Sequence, residues 1–169
     1  MKLVIGLGNP GKRYKNNRHN VGFMMIDALA SKILNSKSQI LNKSKIKIFK
    51  SKTFMNDSGT FVKELLSQYP SIPVSSIYIV HDDLDLPLGT WKIQYAKGPK
   101  DHGGIMDIEE KLCSKNFWRI RIGVDNRKSE PSFAKATDGK DYVLQDFSPK
   151  ENKILDGVIK QICKKLATS

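Results

Sequence analysis

Lys2-Leu3-Val4-Ile5-Gly6-Leu7-Gly8-Asn9-Pro10-Gly11 is a short apolar run broken by Gly-Asn-Pro-Gly, the pattern of a buried strand that ends in a loop. The same residues fit G-x-G-x-x-G after a strand, which reads first as a dinucleotide-binding turn. Three features oppose that reading. Pro10 sits where a helix would begin its hydrogen bonding, Lys12 to Asn17 are all polar apart from Tyr14, and helical spacing starts only near Val21. No helix N-terminus therefore points at a pyrophosphate. The acidic residue that would hold a ribose is missing as well, because Asp27 falls inside the helical pattern and no further acid occurs before Asp57. What remains is a glycine-permitted loop that presents Asn9 and Tyr14 at the end of a strand.

Outward from this strand the chain alternates strands and helices. Phe23, Met24, Ile26, Leu29, Ala30 and Ile33 recur at helical spacing, which predicts a first helix over Val21 to Leu34 with Asn20 as its N-cap. Lys45 to Lys50 alternates charge and apolar side chains as an edge strand does, with Lys52-Thr53-Phe54 as its continuation. Ser58-Gly59 leads into a helix carrying Phe61, Val62, Leu65 and Leu66. Ser76 to Val80 reads as a buried strand, Asp85 to Gly89 as a turn, and Trp91 to Tyr95 as the strand it feeds. A short helix over Ile105 to Leu112 and a strand over Phe117 to Val124 follow. Residues 126–141 are polar and without period, and are read as a surface loop with a return to order at Tyr142. Ser148-Pro149-Lys150-Glu151 combines capping-box spacing with proline at the first helical position, opening an amphipathic helix over 148–167 whose face carries Ile154, Leu155, Val158, Ile159, Ile162 and Leu166. The pattern predicts an α/β fold, a three-layer sandwich with a mixed twisted sheet, in one domain spanning 1–169.

Composition narrows the function. Twenty-nine Lys and Arg against 17 Asp and Glu give a net charge of +12, which attracts polyanions and makes nucleic acid the leading partner class. Cys113 and Cys163 are far apart with no C-x-x-C, so neither a disulfide framework nor a cysteine zinc site is expected. The chain opens directly on a strand with no long apolar stretch, so no signal peptide or membrane contact is expected and a cytoplasmic location is.

Chemistry-bearing residues gather at the element junctions. His19 lies where a loop becomes a helix, a setting in which imidazole can meet a substrate. Asn56 stands at another strand-to-helix junction, where it reads equally as a helix cap. Asp82, Asp83 and Asp85 follow the central apolar strand, where acids are commonly just solvated. In open α/β sheets such strand ends converge on one crevice.

Taken together, Gly6-Leu7-Gly8-Asn9-Pro10-Gly11 with Tyr14, Arg18-His19-Asn20-Val21-Gly22-Phe23, Thr53-Phe54-Met55-Asn56-Asp57-Ser58-Gly59, His81-Asp82-Asp83-Leu84-Asp85-Leu86-Pro87-Leu88-Gly89 and Phe117-Trp118-Arg119-Ile120-Arg121-Ile122-Gly123 resemble bacterial-type peptidyl-tRNA hydrolases over roughly residues 1 to 125. The resemblance implies cleavage of the ester joining a nascent peptide to the tRNA 3′ end, by a monomer without cofactor or metal. It implies His19 as general base and Asp82 as the carboxylate orienting its imidazole. A neutral imidazole with a pKa near 6.5 can take a proton from water at neutral pH, and the carboxylate stabilises the imidazolium that forms. By the same resemblance Asn9 and Asn56 hold the peptide backbone and the developing oxyanion, and Tyr14 walls the terminal adenosine. Phe54 and His102 join the substrate-binding set, and Met55 is either an apolar floor for the peptide or a core methionine.

The match departs at Gly98-Pro99-Lys100-Asp101-His102-Gly103-Gly104. Gly103 stands where the family has an asparagine assigned to substrate and attacking water, so Gly103 is expected to lower the rate, and Gly103→Asn to raise it. Pro99 and Asp101 replace glycines of a mobile gate and are expected to stiffen it. The segment from Leu34 to Phe54 is shorter than in better-known members, and Ser132 to Lys140 reads as a tolerated insertion.

From Ala28 to Asn56 there is no acid, while Lys32, Lys37, Lys43, Lys45, Lys47, Lys50 and Lys52 are all basic. RNA backbone contact is expected there, at Lys43 and Lys45, with Lys100, Lys160 and Lys164 as further candidates. Arg119 and Arg121 share one strand face and are either phosphate contacts or salt-bridge partners. Three functions compete on these residues: peptidyl-tRNA hydrolysis, an RNA-binding module on the same fold that has lost catalysis, and an esterase for small acyl groups. The last gives no reason for the basic charge, and His19 within its motif favours the first over the second.

Overall fold

The computed structural model describes residues 1–35, 46–127 and 139–167. Five strands form one sheet in the order β2-β1-β3-β5-β4, with β1 over Lys2–Gly6, β2 over Ile46–Lys50, β3 over Ile77–Pro87, β4 over Trp91–Tyr95 and β5 over Trp118–Asp125. Only β4 runs antiparallel to its neighbour, so the sheet is mixed. Leu3, Val4 and Ile5 are wholly buried because β1 is covered on both faces. Alternate side chains go to opposite layers. Val4, Val80, Ile120 and Ile122 pack with helices α1 (Val21–Asn35) and α5 (Pro149–Ala167), whereas Ile5, Ile77 and Ile79 pack with α2 (Ser58–Ser67) and α3 (Gly103–Leu112). Each fully buried aliphatic side chain contributes on the order of 1.5–3 kcal/mol. The expected three-layer sandwich is what forms.

Strand order reverses between β1 and β3, because the chain passes from β1 through β2 at the edge and returns to β3 on the other side of β1. Such a reversal leaves a crevice beyond the carboxyl ends of the two strands. A close approach deepens it. A Cβ on Gly6 would collide with the Gly22 carbonyl, and one on Gly22 with the carbonyls of Leu7 and Val80, so the glycine pair lets α1 start hard against the end of β1. That places the residues just before α1 beside those just after β1.

Several boundaries differ from the sequence reading. Asn20 does not spend its side chain on the helix: Oδ1 accepts from Asn9 N at 2.8 Å and Nδ2 donates to Asn9 O at 2.9 Å. Strand β2 stops at Lys50, so Lys52-Thr53-Phe54 does not extend it. The expected turn at Asp85–Gly89 is mostly strand, since β3 runs on to Pro87, and the tight reversal falls at Gly89, whose φ is +91°. Residues 139–141 are not loop, because helix α4 spans Gly139–Val143 with Tyr142 fully buried. The remainder of the expected insertion, 132–138, lies outside the described residues. The capping box of α5 forms, with Ser148 N donating to Glu151 Oε2 at 2.8 Å and Glu151 N to Ser148 Oγ at 3.3 Å, but Ile154 is exposed rather than on the buried face.

The helix α4 region is tied to the rest by polar contacts. The buried Arg18 guanidinium bonds Glu151 Oε1 at 2.7 Å and the Asp146 carbonyl at 2.7 Å, and lies 4.3 Å from the centre of the Tyr142 ring. The Tyr142 hydroxyl accepts from Asn126 N at 3.0 Å and donates to the Val124 carbonyl at 3.3 Å. Tyr142→Phe leaves two buried backbone groups without this partner and is expected to cost about 1–2 kcal/mol, read as a lowered urea midpoint at unchanged slope.

Candidate active site

A cleft of about 610 Å³ opens at the carboxyl ends of β1 and β3. Its lining includes Asn9, Tyr14, His19, Phe54, Met55, Asn56, Asp82, Lys100, His102 and Gly103, so every substrate-contact and catalytic residue expected from sequence reaches one place. Asn9 comes from the loop after β1, His19 from the 3₁₀ turn Arg18–Asn20 before α1, Met55 and Asn56 from the turn before α2, Asp82 from β3, and His102 and Gly103 from the start of α3.

Asp82 is the centre. His19 Nδ1 lies 2.8 and 2.9 Å from its two carboxylate oxygens, and His102 Nε2 lies 3.0 Å from Oδ1. The tautomers follow from the partners. His102 Nδ1 accepts from Ile105 N at 3.3 Å, capping α3, so its proton sits on Nε2 and points at Asp82. With the Nδ1 proton of His19 directed at the same carboxylate, His19 Nε2 is left as the basic nitrogen. Burial alone would lower the His19 pKa, but the charge of Asp82 and the hydrogen bond to it outweigh burial and raise it above 6.5. Burial would likewise raise the Asp82 carboxyl, yet the two histidines hold it far below the ordinary carboxylate range. Sequence reading gave His102 to the substrate, and the structure adds a contact with the acid.

Asn9 is clamped. Asn20 bonds its backbone on both sides, and its own Oδ1 accepts from Met55 N at 2.8 Å, which leaves Nδ2 as the end able to donate into the cleft. Nothing in the sequence separated Asn20 from an ordinary helix cap. Met55 is 3% exposed and packs among Ile5 and Leu7, as a core methionine does, while its edge still lines the cleft. Phe54 is 56% exposed and meets Tyr14 edge to face at 6.3 Å, forming an aromatic lip. Gly139, Lys140, Val143 and Leu144 of the α4 region complete the opposite wall. These were missed, because that stretch carries no period and read as loop.

Other expectations change. Asp83 is buried and accepts from Arg121 Nε at 2.6 Å, and Asp85 Oδ2 accepts from Lys100 N at 3.1 Å, so neither is a merely solvated acid. Arg119 is 1% exposed and paired with Glu109 at 2.6 Å, which makes it a salt-bridge partner and withdraws it from the expected phosphate contacts. Lys43 and Lys45 lie outside the described residues. Lys100 lines the cleft, while Lys160 and Lys164 are exposed on α5. Of the basic block, Lys50 is engaged with Asp27 at 2.6 Å.

Among the described residues one group of metal-ligand type occurs, His19, Asp82 and His102, with ligating atoms within 4.8 Å of one another. Its spacings are those of the hydrogen bonds just given, which account for the cluster. Among the described residues no helix is long and apolar enough to cross a membrane.

A mixed α/β sheet with a histidine–carboxylate pair and a braced asparagine at its switch point has the parts of a site for general acid–base chemistry. The comparisons make the class particular. The peptidyl-tRNA hydrolase family model matches residues 3–169, and the chain belongs to that family. It is 39% identical to the peptidyl-tRNA hydrolase of Aquifex aeolicus, across 95% of this chain and 85% of that one, and 40% identical to that of Persephonella marina, across 94% and 85%. The crystal structure of peptidyl-tRNA hydrolase from Acinetobacter baumannii superposes with a TM-score of 0.79 at 28% identity, covering 98% of this chain and 86% of that one.

Proposed function

We propose that this chain hydrolyses the ester bond between a peptide and the 3′ end of tRNA, with water as nucleophile, His19 as general base and Asp82 as its orienting carboxylate, so that tRNA is recycled. The observation that carries the reading is the His19–Asp82 pair at 2.8 Å, with Nδ1 spent on the acid and Nε2 open on the cleft. His19 Nε2 takes a proton from water as the oxygen attacks the ester carbonyl carbon. The tetrahedral oxyanion is met by amide N–H groups of Asn56 and Asn9, the latter held in place by the bond its Oδ1 accepts from Met55 N. Collapse breaks the bond to the ribose oxygen, and the imidazolium returns the proton to that oxygen. Tyr14 and Phe54 offer rings to the terminal adenosine, and Met55 an apolar edge to the peptide.

The acceptor stem and 3′ end are the part of tRNA engaged, supported by the basic charge and by Lys100 at the cleft rim. The chain is proposed to act as a monomer. The test is single-turnover release of peptide from an N-acylated aminoacyl-tRNA at fixed salt. Release is expected, with Lys100→Gln lowering the slope of log affinity against log salt by about 1. Tight tRNA binding without turnover would instead favour the binding module, and equal cleavage of small acyl esters would favour the esterase.

A further inference from the structure

Gly103 stands where the resemblance leads one to expect an asparagine, and its neighbour in space is Asn56. Gly103 opens α3, and a Cβ placed on it would overlap Asn56 Oδ1, with Asn56 Cγ 3.5 Å away. The conflict does not depend on which terminal atom of the amide faces Gly103. The first turn of α3 therefore has a bare patch, and the Asn56 carboxamide leans into it. The Asn56 side chain is exposed and has no hydrogen-bond partner among the described residues, so its tip lies over residue 103 because no side chain there excludes it. The Gly103 backbone is not in the left-handed region, so no demand of φ explains the glycine.

We propose that Gly103 is a positioning residue that sets the direction of the Asn56 amide in the cleft, so that any side chain at 103 turns that amide away from the reacting carbonyl. The inference rests on the proposed role of Asn56. It reverses the expectation that Gly103 is a handicap which asparagine would repair. In this chain the amide from the turn before α2 occupies space that a side chain at 103 would claim, and an asparagine there would displace a donor already in place.

Alanine tests this most cleanly, because it adds one carbon and suits a helix better than glycine does. Gly103→Ala is expected to lower kcat roughly tenfold to a hundredfold, less than the ~10²–10³-fold of removing an oxyanion donor outright, with tRNA affinity unchanged. Its melting temperature is expected to hold or to rise by about 1–4 °C. Gly157→Ala is the control, since a Cβ on that exposed position in α5 meets nothing within 4 Å: stability is expected to rise there as well, with kcat unchanged. Asn56→Ala and the Gly103→Ala, Asn56→Ala pair should fall within about twofold of each other, because the glycine acts through the amide. A Gly103→Ala variant with full kcat, or a double variant losing the product of the two single effects, would overturn the proposal. A readout without turnover separates it from the proposed hydrolysis. The Asn56 side-chain amide resonances of the free protein should move in Gly103→Ala and stay in Gly157→Ala. If they move while the parent protein releases no peptide, the hydrolase reading fails and the positioning stands; if they do not move, the positioning fails.

Discussion

His19→Ala is expected to lower single-turnover peptide release by about 10²–10⁴-fold, the contribution of a positioned general base, while tRNA affinity stays within about twofold. The split follows from where the ring sits. Its Nδ1 is bound to Asp82 and not to any group that could hold RNA, and the basic residues and aromatic lip available to tRNA lie elsewhere on the cleft. Removing the imidazole thus removes an interaction made only as the water proton departs, which lowers kcat and kcat/KM equally. Rapid-quench release and equilibrium binding to the same acylated tRNA measure both. Retained release in His19→Ala would remove the base from the mechanism.

Asp82→Asn carries a loss of similar size, about 10³–10⁴-fold in kcat, for a different reason. An asparagine keeps the shape, but its amide can donate to His19 Nδ1, which moves the imidazole proton to Nε2 and leaves no lone pair for water. The pH profile distinguishes this from damage to the fold. The parent acid limb of kcat/KM lies above pH 6.5, because Asp82 raises the His19 pKa against the pull of burial. Without the charge only the pull of burial remains, so any residual activity in Asp82→Asn should show its acid limb at lower pH. Stability follows the same pair. The His19 contribution is fully present below pH 6.5 and is lost as pH rises through the higher folded value, whereas the Asp82 contribution is present above about pH 3.9 and lost as pH falls toward its depressed one. Urea midpoints of the variant should lose both dependences. An unmoved acid limb would sink the assignment of Asp82.

Most of the sheet could be read from the chain, because β1, β4 and β5 carry runs whose period or apolarity has only one satisfactory burial. Strand β3 was read short for a physical reason. Asp82, Asp83 and Asp85 read as solvated acids after the strand and Asp85 to Gly89 as a turn, but the strand continues because its acids find cations and histidines on other elements: Asp83 meets Arg121 of β5, and Asp82 meets two imidazoles. Asn9, His19, Asn56 and Asp82 were legible as a set through the family resemblance of their motifs, and their places at strand ends and helix starts are what a switch point brings together. Asn20 and the α4 wall were not, since a brace and a wall are defined by what lies across the cleft. The effect of Gly103 was hidden in the same way. Its meaning depends on the tip of Asn56, a neighbour in space that spacing along the chain does not announce.

The contact of Arg18 with Glu151 joins two residues that the ribosome supplies far apart in time. Arg18 precedes the base directly, and the carboxylate that neutralises it belongs to the first turn of α5. A chain ending before residue 151 would contain His19, Asp82, Asn9 and Asn56 and the Asp146 carbonyl that Arg18 bonds, but not the carboxylate that carries its counter-charge. The charge partner of the residue before His19 is therefore translated later than all four of these residues.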